Sequence, residues 1–349
     1  MKIIAAIDSF KGCLTSAEAN EAAAGGIAET WPQAEVVATN VSDGGEGWIE
    51  AFRRRGDKSI TTEVLDPLGR PIKARYLRRN DTAIIEIAEA CGLQLFSPEE
   101  RNPLVANSFG VGQLIVDALA RKCRNFIIGL GGSAVSDAGR GMMAALTDIC
   151  IPKDCHFTIA TDVDNPLCGS NGAAAIFAPQ KGATPAMVEV LDERARAFAH
   201  EAAQRLGVDR SDEPGAGAAG GLGYAFMQFL NAERRSGIDL LLDSIDFDSI
   251  IADSDLIITG EGHADRQTLM GKVPLGILKR AKKLRIPTFL IAGKVDNREA
   301  LLEAGFAEVI CINKKGLPFE EAIKHDVAFN NIKETMRLLL ISPDVVAKG

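Results

Sequence analysis

Short apolar runs, each ending in a polar or glycine-rich loop, recur at both ends of this chain and constrain its fold class more than any other feature. "KIIAAID" (2–8) shows no polar alternation and is too short for a core helix, so it reads as a buried parallel strand. In "LTSAEANEAAAGGIAETW" next to it, Thr15 and Glu18 form a capping-box pattern that starts a helix, which Gly25 and Gly26 weaken locally. "AEVVATNV" (34–41) reads as a second strand and "GWIEAFRRRG" as a second helix, stopped at Gly56. Such β-α-β order implies a right-handed parallel unit. The same texture returns after about residue 240, where "DLIITG" (255–260), "PTFLIAG" (287–293) and "AEVICI" (307–312) read as buried strands. "VPLGILKRAKKL" is a helix between the first two of these.

The middle of the chain differs. "ITTEVLDPLGRPIKARYLRRNDTAIIEIAEACGL" holds three short strands joined by turns at "DPLGRP" and "RND", an antiparallel hairpin pattern. Strand, glycine loop and helix follow in "NFIIGLGGSAVSDAGRGMMAAL", and a long helix capped by Thr184 comes later. The simplest architecture is α/β with two domains. Residues 1–62 and 240–349 form a discontinuous Rossmann-like, doubly wound parallel-sheet domain, and 63–239 form an inserted mixed α/β domain. Clefts between such domains are common ligand sites, so the active site is expected there.

Charge and cysteine usage narrow the function classes. The net charge is −8 with no long basic run, which argues against binding nucleic acid through its phosphates. No apolar stretch has membrane-spanning length. The seven cysteines are scattered and none forms a C-x-x-C pair, the usage of a reduced cytoplasmic protein.

Six motifs carry candidate chemistry. "DSFKG" (8–12) ends the first strand, at the edge where open α/β sheets bind ligands; Lys11 suits a phosphate or carboxylate, against the alternative of a solvated turn. "SDGGEG" (42–47) places Asp43 and Glu46 among three glycines, more than one turn needs. Asp43 there suits a general base or Mg²⁺, or caps the next helix. "GLGGSAVSDAG" (129–139) suits a phosphate loop through Gly131, Gly132, Ser133 and Asp137, although it is not a Walker A sequence. "ATDVDNPLCG" (160–169) offers Asp162, Asp164 and Asn165 as hard oxygen ligands, or as an Asx turn. "GAGAAGGLG" (215–223) either cradles a ligand or permits close helix packing. "TGEGHADRQTLMGK" (259–272), read as a loop after a buried strand, gathers Glu261, Asp265, Arg266 and Lys272. The four histidines show no metal-ligand spacing, and neither G-x-S-x-G nor a first-strand G-x-G-x-x-G occurs.

Taken in order, these six motifs resemble the type I glycerate kinases, from residue 1 to about 300 and more loosely beyond. The resemblance implies two α/β domains and an ATP-dependent kinase acting on glycerate, in this family at the 2-hydroxyl, with Mg²⁺. It implies catalytic roles for Lys11, Asp43 and Asp162, and nucleotide binding by Gly131, Gly132, Ser133, Asp137, Glu261 and Lys272. From their residue types, Ser9, Asp265 and Arg266 are candidates for substrate binding, and Glu46 and Asp164 for metal binding. Trp48 stands where the family usually has Thr, Ser136 where it has Asn, and the segment before "DVDNPLCG" is shorter than usual. The resemblance leaves a homodimer open. The residues themselves also leave open a kinase of another hydroxy or sugar acid, and a metabolite-binding sensor.

Overall fold

The computed structural model describes residues 1–339; the last ten residues of the expected first domain lie outside them. Eleven strands organise the described residues: β1 (Lys2–Ile7), β2 (Glu35–Ala38), β3 (Lys58–Leu65), β4 (Pro71–Arg79), β5 (Thr82–Glu86), β6 (Asn125–Gly129), β7 (His156–Ala160), β8 (Glu233–Arg235), β9 (Leu256–Ala264), β10 (Thr288–Val295) and β11 (Glu308–Cys311). They divide between two compact units, one holding Met1–Ala51 with Ile238 onward, the other Phe52–Gly237.

The first unit is a parallel sheet in the order β11-β10-β9-β1-β2. Alternation along the strands feeds two cores. Ile3, Ala5, Ile7, Ile258 and Ile291 pack on one face with Ala19, Ala23 and Ile27 of the helix Ser16–Thr30, and with Ile332 and Met336 of the helix His325–Leu339. Leu290 and Ala292 pack on the other face with Leu278 of the helix Val273–Leu284. The doubly wound expectation is met because each central strand has both faces buried.

The capping box forms as the sequence predicts: Glu18 N–H donates to Thr15 Oγ1 at 3.2 Å and Thr15 N–H donates to the Glu18 carboxylate at 2.8 Å. Gly26 does not break the helix. It lies where the helix His325–Leu339 crosses so closely that a Cβ there would stand 2.2 Å from the Lys333 carbonyl oxygen. The second helix is shorter than expected, Trp48–Phe52. Asp57 ends it by accepting from Arg54 N–H at 2.9 Å, which turns the chain into β3. The "TGEGHA" segment is strand rather than loop, because β10 continues beside it, pairing Lys294 with His263 and Val295 with Ala264.

The second unit is a mixed sheet, β3-β4-β5-β6-β7-β8, antiparallel through β5 and parallel from there to β8. Phe126 and Phe157 stack at 4.6 Å between centroids on neighbouring strands. The boundary drawn at 62/63 from sequence falls inside β3, whose whole length pairs with β4, so the unit begins at Phe52 instead. At its other end the unit closes at Gly237 rather than 239.

Candidate functional site

In the first unit, sequence order runs outward from β1 to β2, then jumps to the other side of β1 for β9, β10 and β11. The reversal between β1 and β9 is a topological switch point, and parallel strands open a crevice at their carboxyl ends there. Asp8 and Ser9 follow β1 into that crevice, and Glu261 and His263 lie in the last residues of β9. A pocket of about 320 Å³ occupies it. Asp8, Asp43 and Glu261 line it with Lys11 and Lys272, so "DSFKG", "SDGGEG" and "TGEGHADRQTLMGK" meet in one place.

Local packing explains why the acids converge. Ile7 N–H donates to Asn20 Oδ1 at 3.0 Å, and Asn20 Nδ2 donates to the Thr39 carbonyl at 3.1 Å. Ser16 Oγ donates to the Ile7 carbonyl at 2.6 Å and accepts from Val41 N–H at 3.0 Å. One buried turn of helix thus clamps the end of β1 to the loop that carries Asp43. Sequence reasoning missed Ser16 and Asn20; the signal was two polar residues four apart on an alanine-lined helix face.

Asp8 is buried and accepts Ser9 N–H at 2.8 Å. Burial first, then the neighbouring Asp43 charge, push its carboxyl well above the ordinary range, while the Ser9 N–H and Lys11 pull the other way. Glu261 is buried too, which raises its carboxyl; Thr268 and Lys272 oppose the rise by donating to it at 2.6 and 3.0 Å. Asp265 shapes the turn that presents Thr268. It accepts from Gln267 N–H at 2.7 Å, and its own N–H donates to Thr268 Oγ1 at 2.9 Å. Arg266 is exposed on that turn. Glu46 is exposed in its loop, whose ends are tied by Ser42 Oγ donating to the Glu46 carbonyl at 3.2 Å.

The remaining candidates belong to the second unit. Ser133 is buried, and its hydroxyl accepts from Lys181 Nζ at 3.0 Å; the same amine donates to the Val135 carbonyl at 2.5 Å. Burial pulls the Lys181 amine down to about 8. Asp137 accepts from Ser108 N–H and Oγ, Gly139 N–H and Gly141 N–H, all between 2.8 and 3.1 Å. These bonds hold the "GGSAVSDAG" loop rigid, with Gly131 half-buried and Gly132 exposed. A second pocket of about 200 Å³, lined by Ser136, Asp137, Arg140 and Arg194, lies beside the loop. Asp162 accepts Gly237 N–H at 3.2 Å. Asp164 pairs with Arg234 at 2.6 Å on the surface, and Asn165 Nδ2 donates to the Asn171 carbonyl at 2.8 Å. Ala219, Gly220 and Gly221 of "GAGAAGGLG" take left-handed backbone, and a Cβ at Gly220 would stand 2.0 Å from the Val135 carbonyl oxygen. Close packing is therefore what that motif serves.

Among the described residues, no group of three or more His, Cys, Asp or Glu is placed to hold a metal ion, and no helix is long and apolar enough to cross a membrane. The model of the Glycerate kinase family matches residues 3–151 and 147–340. The chain is 39% identical to the glycerate kinase of Bacillus subtilis (strain 168), over 93% of this chain and 94% of that one. It is 40% identical to the glycerate 2-kinase of Escherichia coli (strain K12), over 97% and 96%. A crystal structure from Salmonella typhimurium LT2, assigned as a glycerate kinase 2, superposes with a TM-score of 0.81 at 36% identity and covers 100% of both chains.

Proposed function

The chain belongs to the glycerate kinase family, and on that premise we propose that it transfers the γ-phosphoryl group of ATP to the 2-hydroxyl of D-glycerate, giving 2-phosphoglycerate and ADP. The observation that carries the reading is the first-unit pocket, where three carboxylates and three lysines meet at the switch point of a parallel sheet.

Phosphoryl transfer asks a protein for positioning and charge neutralisation more than for covalent chemistry. The hydroxyl oxygen bonds to the γ-phosphorus as the bond to the bridging oxygen breaks, and ADP leaves with that electron pair. Asp43, half-exposed beside buried Asp8, accepts the hydroxyl proton. Lys11 and Lys272 offset the negative charge of the phosphates. Ser9, Asp265 and Arg266 remain the proposed contacts of the acid substrate. In the second unit the rigid 129–137 loop is the proposed ligand-holding element. Asp162 keeps a proposed catalytic role there, beside its bond to Gly237 N–H.

The donor set does not fit a resident metal centre among the described residues. Mg²⁺ fits instead as part of the MgATP substrate, since Mg²⁺ commonly takes one or two carboxylates together with phosphate oxygens. Glu46 is the exposed carboxylate proposed to meet that complex; Asp164 is engaged with Arg234. A cytoplasmic location suits seven free cysteines.

The test is incubation with MgATP and D-glycerate, with the product read by ³¹P–¹H coupled NMR. A 2-phosphoglycerate signal supports the reading in full. A 3-phosphoglycerate signal overturns the assigned hydroxyl, and no product from folded protein, with turnover of another hydroxy acid, overturns the substrate.

A further inference from the structure

The charged side chains that line the first-unit pocket are accounted for by phosphoryl transfer; its apolar lining is not. Ile312, Phe319 and Ile323 line the same cavity as Asp8 and Lys11. Phe319 is 72% exposed and Ile323 42%, at the start and just past the end of the short helix Phe319–Ala322. Glycerate is a three-carbon acid carrying polar groups on every carbon, so it has no apolar surface to set against this wall. Beside the wall, Asn313 is held in place: its amide donates to the Gly293 carbonyl at 2.7 Å and its side-chain oxygen accepts from Asn331 Nδ2 at 2.9 Å. One amide hydrogen is left outside these bonds.

We propose that the apolar lining of this pocket holds the purine base of the nucleoside triphosphate, stacked on Phe319, with the phosphates running toward Lys11 and Lys272. The inference rests on the kinase reading and assigns that site its nucleotide-binding half. Three features agree. The pocket, about 320 Å³, is in the size range of small-molecule and cofactor sites. Its lining combines the aromatic and aliphatic side chains of Phe319, Ile312 and Ile323 with the amines of Lys11 and Lys272, matching a flat base joined to a polyanion. It also sits at the switch point of a parallel sheet, where nucleotides bind in open α/β folds. Ile312 directly follows β11, so this part of the apolar lining is built at the same carboxyl edge as the reacting groups.

Titration calorimetry with ADP, and separately with inorganic tripolyphosphate, tests this on the intact chain as wild type, Phe319→Ala and Phe319→Trp. Phe319 is largely exposed, so an unchanged melting temperature is expected and checks that the variants fold. Loss of a stacking face is expected to weaken ADP binding about tenfold or more in Phe319→Ala, and Phe319→Trp is expected to restore it. Tripolyphosphate affinity and the KM for glycerate are expected to stay unchanged. Equal ADP affinity in wild type and Phe319→Ala, with glycerate phosphorylation intact, overturns the base site and leaves the kinase standing. Failure of the wild type to bind ADP or phosphorylate any acid overturns the kinase reading, and the base site with it.

Discussion

Glu261 accepts from Lys272 Nζ at 3.0 Å through one carboxylate oxygen and from Thr268 Oγ1 at 2.6 Å through the other. The acid lies within β9, the amine precedes the helix Val273–Leu284, and the hydroxyl lies on the turn between them. One carboxylate therefore sets the course of the whole segment. Its side chain is 9% exposed, so both bonds are made with little competition from water. Glu261→Gln keeps the shape but removes the charge. Urea unfolding is expected to show a loss of about 1–3 kcal/mol. Because Lys272 loses its anchor, the KM for ATP is expected to rise as well. Unchanged stability would mean that the segment is held by its apolar contacts alone.

Asp43 is the proposed proton acceptor, and its exchange for Asn removes the acceptor while keeping the size. In Asp43→Asn, kcat is expected to fall about 10²- to 10⁴-fold. The melting temperature should hardly move, since Asp43 is only half-buried. A variant with near-normal kcat removes Asp43 from the role.

Asp8 makes the opposite trade. Its carboxyl is raised above the unfolded value, chiefly by burial and then by the Asp43 charge. In the window between the two values the folded chain binds the extra proton, so stability falls as pH rises from about 4 through the folded value. Asp8→Asn carries no ionisable group and escapes this loss. Its melting temperature relative to wild type is expected to climb as pH rises above about 4, while activity drops. A pH-independent offset between the two proteins would show that Asp8 does not titrate in a buried setting.

Much of this was legible in the chain because the signals were local. The Thr15–Glu18 box, the "DPLGRP" and "RND" turns and the motif order all act over a few residues, and each appears where expected. What was hidden came from partners distant in sequence. The length of β9 depends on Lys294 and Val295 lying alongside it, which no local pattern announces. The bond from Lys181 to Ser133 spans 48 residues, and no local pattern announces it. The setting of Asp8 is equally nonlocal, since the Asp43 and Glu261 charges that push its carboxyl up come from distant segments of the chain. Phe319 sits outside every motif.

Two adjacent glycines give a stability test of the packing itself. Both cost helix propensity, so sequence alone treats them alike. In the structure, a Cβ at Gly25 meets nothing nearer than Lys333 Cε at 3.8 Å, an ordinary contact. A Cβ at Gly26 would stand 2.2 Å from the Lys333 carbonyl oxygen and 2.9 Å from Met336 Cβ, which forces the two helices apart. Gly25→Ala is therefore expected to stabilise the protein by about 0.4–1 kcal/mol, because the unfolded chain loses freedom at no native cost. Gly26→Ala is expected to destabilise it by about 1–3 kcal/mol or more through overpacking. Thermal melts of the two variants should shift in opposite directions. If both rise together, the helices Ser16–Thr30 and His325–Leu339 do not cross at Gly26.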